Sequence, residues 1–182
     1  RFIGPKIYCE KRANDDPVCV RGIEFNTRDS DFNEIQYDFR GNVKYSTMIS
    51  KLCDYGPRSD FIVKLLDDLL IEGKANNQDP QIMVLAHNRS LLKYFYESIV
   101  HKGFASVGYY VGGMKQKDLD ISETKPIILG TFSMSSEALD IPELNTLFMT
   151  TPKSNIEQSV GRILRKTHEI RPLIIDIKDN FR

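Results

Sequence analysis

Tryptophan is absent from these 182 residues, and cysteine and histidine occur only three times each. Neither sign of charge prevails, since 25 Lys and Arg balance 25 Asp and Glu for a net charge of +0. Nothing global therefore steers the chain toward nucleic acid or an anionic membrane, and any such binding must be local. Cys9, Cys19 and Cys53 have no CxxC spacing, and His87, His101 and His168 lie far from them and from one another, so no metal site is expected. Cys9 and Cys19 flank a possible hairpin turn, but a reducing compartment is the simpler expectation and keeps them as thiols. All three cysteines read as structural or incidental. No apolar run approaches the roughly 20 residues that span a bilayer, and Arg1-Phe2-Ile3-Gly4-Pro5 is no signal peptide. No membrane partner and an intracellular location are expected. The first residue is not Met, which reads as a piece of a longer protein.

What is present is the composition of a soluble globular protein: 41% hydrophobic, 27% charged and 10% aromatic residues, with 11 Gly and 8 Pro. The length suits one domain of ordinary size better than two small ones. The first fifty residues differ from the rest. Lys6 to Glu10 and Val18 to Phe25 read as short strands separated by the turn-rich Asn14-Asp15-Asp16-Pro17, and the acidic stretch Asp29 to Asp38 reads as a loop or exposed edge. Residues 1–50 are thus expected to form an N-terminal β-rich extension, a strand pair with a connecting segment. Residues 51–182 form the main domain on this reading.

From Pro57 onward, helical and strand patterns alternate. Phe61, Ile62, Leu65, Leu66, Leu69 and Leu70 recur at the spacing of one helix face, with Ser59 or Asp60 placed to cap it. A second helical pattern spans Ser90 to Val100, with Leu91, Leu92, Phe95 and Ile99 inward. Short unalternating apolar runs occur at Ile82 to Ala86, Val107 to Val111, Ile127 to Leu129, Thr146 to Met149 and Leu173 to Ile177. Such runs, separated by helices, suit strands of a parallel sheet buried on both faces. The predicted fold is α/β, a three-layer α/β/α domain, doubly wound on a mainly parallel sheet.

Ligands of such sheets bind outside the carboxyl ends of the strands. Three segments there are chemically distinctive. His87-Asn88-Arg89-Ser90 follows the Ile82 run and begins a helix, where free N–H groups suit a phosphate; on this segment alone an ordinary turn capped by Asn88 or Ser90 is the favoured reading. Gly112-Gly113 closes the next strand and is a weak signal alone. Gly130-Thr131-Phe132-Ser133-Met134-Ser135-Ser136-Glu137-Ala138-Leu139-Asp140-Ile141-Pro142 runs a buried strand into a loop of hydroxyls, with Asp140 arriving after one short helical turn. Hydroxyls and N–H groups hold phosphates and a carboxylate accepts from a ribose, although a polar loop capping a helix would look the same.

The third segment is the most specific. Ser154-Asn155-Ile156-Glu157 is a capping box, so a helix should begin near Asn155. At about 100° per residue, Ile156, Val160, Ile163 and Leu164 share one side, and Gln158, Arg162 and Arg165 fall within roughly 60° of one another opposite. A solvated face is the plain explanation. Gly161, however, costs stability inside a helix, which suggests close approach of a backbone or ligand. Arginine forks suit phosphoryl groups, whose developing charge they stabilise.

Gln158-Ser159-Val160-Gly161-Arg162-Ile163-Leu164-Arg165 matches the QxxGRxxR pattern and resembles motif VI of superfamily-2 helicases. The GTF…S…ALDIP segment resembles motif V, and Ile82 to Arg89 resembles motif IV, in the order and spacing of a second, carboxy-terminal RecA-like domain. The resemblance covers roughly Arg58 to Ile177. The opening IGP…Y, the strand pair and Gly41 to Ile49 are most similar to the DNA helicases of large cytoplasmic DNA viruses, among them the poxvirus transcript-release helicase and its African swine fever virus counterpart. If the protein is viral, the resemblance implies host cytoplasm or virion.

The resemblance implies that Arg162 and Arg165 are arginine fingers toward the γ-phosphate of ATP, positioned by Gln158. It places Asp140 at the ribose or between the two sites, and Glu137 near the nucleotide with its role open. Thr131, Asn88, Arg89, Gly112 and Gly113 are then contacts along a nucleic-acid groove, with DNA the expected ligand. Motif VI begins with Gln rather than His, and Glu137-Ala138 stands where many relatives have Gly or Arg; both argue against a typical DEAD-box RNA helicase. Neither a GxxxxGK[ST] phosphate loop nor an Asp-Glu-x-x magnesium motif occurs in the sequence. ATP and Mg²⁺ are therefore expected to be bound mainly by an N-terminal RecA-like domain of the same protein, and this chain alone is expected to be inactive. The competing reading is a nucleic-acid-binding or protein-docking module with a RecA-like fold and no motor activity.

Overall fold

The computed structural model describes residues 18–76, 78–134, 141, 143–154, 156 and 171–181. Among them, six strands form one sheet: β1 (Cys19–Phe25), β2 (Ile82–Ala86), β3 (Val107–Tyr110), β4 (Ile127–Thr131), β5 (Thr146–Met149) and β6 (Leu173–Asp179). The order is β1-β6-β5-β2-β4-β3 and every pairing is parallel. The helices are α1 (Ser30–Asn33), α2 (Tyr45–Asp54), α3 (Gly56–Ala75), α4 (Arg89–Lys102) and α5 (Gln116–Glu123). The first predicted strand, Lys6 to Glu10, lies outside the described residues, as does Cys9; the second becomes β1 and joins the main sheet at its edge.

Burial on both faces accounts for the apolar runs. All five residues of β2 are buried. Successive side chains of a strand point to opposite faces, so Ile82, Val84 and Ala86 enter one core cluster while Met83 and Leu85 enter the other. The first cluster packs under α2, α3 and α4 through Leu52, Ile62, Leu66, Leu92 and Phe95. Leu119 of α5 packs on the second.

Helix α3 starts earlier than the apolar periodicity predicts, and neither Ser59 nor Asp60 caps it. Tyr55 occupies the cap position without a side-chain bond, and Pro57 sits in the first turn, where its missing N–H costs nothing. Arg58 in that turn is fully buried. Its guanidinium donates to both oxygens of Asp179 at 2.6 and 2.9 Å and to the Thr150 carbonyl at 2.7 Å, fastening the start of α3 to the ends of β5 and β6. Burial pushes the Asp179 carboxyl up from its ordinary range, with Arg58 opposing that shift.

The stretch expected as an acidic loop contains α1. Asp29 caps it by accepting from the amides of Asp31 and Phe32, and Phe32 is buried against Phe25, Tyr55 and Phe181. Lys51 of α2 donates to the carbonyls of Asp31 and Glu34. The connection from β1 to α2 is thereby fixed over the carboxyl edge of the sheet.

Candidate nucleic-acid interface

Because all six strands run parallel, their carboxyl ends share one edge. Two neighbouring strands send their chains in opposite directions there: the path leaving β2 goes toward β4 and β3, and the path leaving β5 goes toward β6. Such a divergence opens a crevice, the usual ligand position in open α/β sheets. The residues leaving β2 are His87, Asn88 and Arg89; those leaving β5 are Thr150, Thr151, Pro152 and Lys153.

Thr150 anchors the second segment to the first, its amide and hydroxyl donating to the Leu85 carbonyl at 3.0 and 2.8 Å. One residue further, His87 Nδ1 and Thr151 Oγ1 share a 2.7 Å hydrogen bond across the crevice. The His87 ring also meets Phe132, just past β4, at 4.8 Å, and Tyr45 at the start of α2, edge-on at 6.2 Å. The Tyr45 hydroxyl donates to the Pro152 carbonyl at 2.7 Å. Lys153 holds its ammonium 5.8 Å from the Phe132 ring centre, a cation–π contact. Burial, and secondarily the Lys153 charge, hold the His87 imidazole below its ordinary value of 6.5. Both causes favour the neutral ring.

Arg89 spans the other side of β2. Its Nη2 donates to the Gly112 carbonyl at 2.6 Å, joining the exit of β2 to the turn after β3. Gly113 has φ +89°, which side chains rarely tolerate, so the turn after β3 needs a glycine there. Asn88 occupies the cap position of α4 without capping it through its side chain. Thr131 is buried at the end of β4 with its hydroxyl 3.0 Å from that of Ser133. Among the described residues, neither Arg89 nor Lys153 forms a salt bridge with a carboxylate. The edge thus presents two exposed cations, Arg89 and Lys153, beside the first turn of α4, whose amides have no intrahelical partner, a set suited to an anion rather than a cation.

The structure brings together Asn88, Arg89, Gly112, Gly113 and Thr131, as the strand-end rule anticipates. Glu137, Asp140, Gln158, Arg162 and Arg165 lie outside the described residues, and with them the arginine face. Sequence reasoning missed Tyr45, Thr151 and Lys153. The hydroxyl pair Thr150-Thr151 directly after an apolar run was the available signal for Thr151. Among the described residues no group of three or more His, Cys, Asp or Glu is arranged to hold a metal ion, and no helix is long and apolar enough to cross a membrane.

No family model matches the chain. A curated protein of Acanthamoeba polyphaga mimivirus, named as a candidate ATP-dependent RNA helicase, is 35% identical over 184 residues, an alignment covering 98% of this chain and 34% of that protein. The chain spans about a third of the length of this curated relative. Among solved structures, T4 UvsW superposes with a TM-score of 0.69 at 20% identity, covering 90% of this chain and 33% of that one. The Pyrococcus furiosus Hef helicase domain follows with 0.54 at 19% identity, covering 68% of this chain and 25% of that one. The fold is RecA-like, and the resemblance to a viral helicase holds in sequence.

Proposed function

We propose that this chain is the carboxy-terminal motor domain of an ATP-dependent nucleic-acid helicase or translocase, acting together with an N-terminal RecA-like domain of the same protein. The observation that carries the reading is the carboxyl edge of the sheet. There His87–Thr151 and Arg89–Gly112 bind the exits of β2, β3 and β5 into one polar, cationic rim at the divergence of the chain path. The mimivirus relative supports an ATP-driven activity.

In this proposal Asn88, Arg89, Gly112, Gly113 and Thr131 hold the phosphate backbone of the nucleic acid, with backbone amides and one guanidinium as donors. Arg162 and Arg165 stabilise charge on the transferring phosphoryl group, Gln158 positions them, and Asp140 and Glu137 stand near the nucleotide. ATP hydrolysis supplies the free energy; with no phosphate loop in this sequence, ATP and Mg²⁺ are held mainly by the other domain. DNA is the proposed track, on the resemblance of the opening IGP…Y, the strand pair and Gly41 to Ile49 to viral DNA helicases, while the mimivirus relative is named for RNA; host cytoplasm or virion is the proposed location.

The test is ATPase activity of this chain and of the longer protein, each with single-stranded DNA, duplex DNA and RNA. The proposal expects turnover only in the longer protein, stimulation by DNA above RNA, and loss on Arg162→Ala. Turnover by the chain alone that Arg162→Ala removes, and that is therefore not a contaminant's, would overturn it. An inactive longer protein would instead make the rim a docking surface.

A further inference from the structure

Residues 36–45 read Gln-Tyr-Asp-Phe-Arg-Gly-Asn-Val-Lys-Tyr, three aromatics and two cations with one acid among them. They form a tight hairpin-like loop. Tyr37 and Val43 form an antiparallel bridge, the Lys44 amide donates to the Gln36 carbonyl at 2.8 Å, and the Asp38 amide donates to the Asn42 carbonyl at 2.7 Å. The Asp38 carboxylate turns inward and accepts from the amides of Arg40 and Asn42 at 2.8 and 2.9 Å. Gly41 supplies the positive φ of +76° that the turn demands. The acid of the loop is thus spent on its own backbone.

Phe39 stands at the tip, 91% exposed, the most exposed of the large apolar side chains described. A single exposed apolar residue is ordinarily unremarked. This one differs because the turn that carries it is tied by five backbone and carboxylate bonds, and because Arg40 holds its guanidinium 5.1 Å from the ring centre. The loop's root adjoins the rim, since Tyr45, one residue past the loop's closing amide, touches His87 and bonds the Pro152 carbonyl. Lys44 and Arg40 give the loop two cations of its own.

We infer that Phe39 is a stacking platform for an unpaired nucleobase, with Arg40 beside it for the adjoining phosphate. The inference rests on the nucleic-acid reading of the rim. No continuous apolar patch marks an apolar docking surface here, since the exposed aromatics Tyr37, Phe39 and Tyr45 are separated in sequence by polar and charged residues. Aromatic rings interleaved with cations instead fit single-stranded nucleic acid, whose bases stack whatever their sequence while the cations follow the backbone.

The lack of tryptophan gives a direct test. Phe39→Trp places a single tryptophan in this chain, and its emission reports stacking. Oligothymidylate and oligouridylate are titrated at low salt, beside an abasic oligomer of equal charge, with binding read separately by anisotropy. The expected result is quenching by both base-bearing oligomers and none by the abasic one, with affinity on the order of tenfold weaker in Phe39→Ala. Anisotropy showing binding without quenching, and an unchanged Phe39→Ala, would overturn the stacking role and leave the rim reading intact. No binding by the unsubstituted chain would overturn both. An emission shift on concentrating the protein without oligomer would assign Phe39 to contact with a second copy and overturn the inference.

Discussion

Arg58 and Asp179 lie 121 residues apart in sequence and meet inside the protein, the guanidinium fully buried and in contact with both carboxylate oxygens. The pair locks α3 to the last strand, so its value depends on both members being present. Removing one strands the other's charge in a dry interior, which costs about 3–5 kcal/mol. Arg58→Ala should lower unfolding stability by about that amount, and Arg58→Met with Asp179→Leu should recover most of it. Urea unfolding of the three proteins checks this; equal losses in the single and double variants would show that packing, not charge, holds α3.

His87 carries a signed pH dependence. Its folded pKa is depressed by burial and by Lys153, so below 6.5 the unfolded chain takes up a proton that the folded ring refuses. Its contribution to stability is complete above 6.5 and is lost as pH falls through the folded value. Asp176 and Asp179, both raised by burial, act in the opposite sense. The informative quantity is therefore the difference between wild type and His87→Gln in melting temperature from pH 7.5 to 5.5. Wild type should lose more than the variant on acidification.

Gly108 of β3 lies directly under α5. A Cβ there would sit 2.7 Å from the Ser122 hydroxyl and 2.9 Å from its Cα, closer than packed atoms allow. Gly108→Ala should push the helix away at a cost of about 1–3 kcal/mol, lowering the denaturation midpoint with little change in slope.

Arg89 should reveal itself through salt. If its guanidinium contacts phosphate, Arg89→Ala weakens binding of single strands regardless of sequence and reduces the slope of log affinity against log salt by about 0.7. Fluorescence anisotropy at several salt concentrations measures both. An unchanged slope would remove Arg89 from the groove.

The strands were legible because both faces of the sheet are covered: Ile82 to Ala86 has no polar residue to hide, and its length fits a strand. Helices α1, α2 and α5 were not. In α5 the buried residue is Ser122, which fits against Gly108, so the contact that seats the helix leaves no apolar stripe in the sequence. In α2 the buried Met48, Ile49, Leu52 and Cys53 follow Lys44, whose side chain makes no capping bond, and no start signal marks the helix. Arg58 shows the same blindness in the core, since an arginine reads as surface until its distant partner is known. The rim was half legible. Asn88, Arg89, Gly112, Gly113 and Thr131 follow strands in a recognisable pattern, whereas Tyr45 reaches the site from a helix whose approach only the tertiary fold determines.

The pairing of β1 with β6 has a consequence for how the molecule comes into being. Cys19 lies opposite Leu173 and Phe25 opposite Asp179, so the earliest described strand finds its neighbour only in the latest one. During synthesis β1 leaves the ribosome long before that neighbour exists, and closing so long a loop is slow. Until Leu173–Asp179 is made, seven residues of strand wait with an unclaimed edge, open to pairing with another nascent chain. Each face of this strand carries one exposed charge, Arg21 on one and Glu24 on the other, which makes the wait safer than an apolar ribbon would.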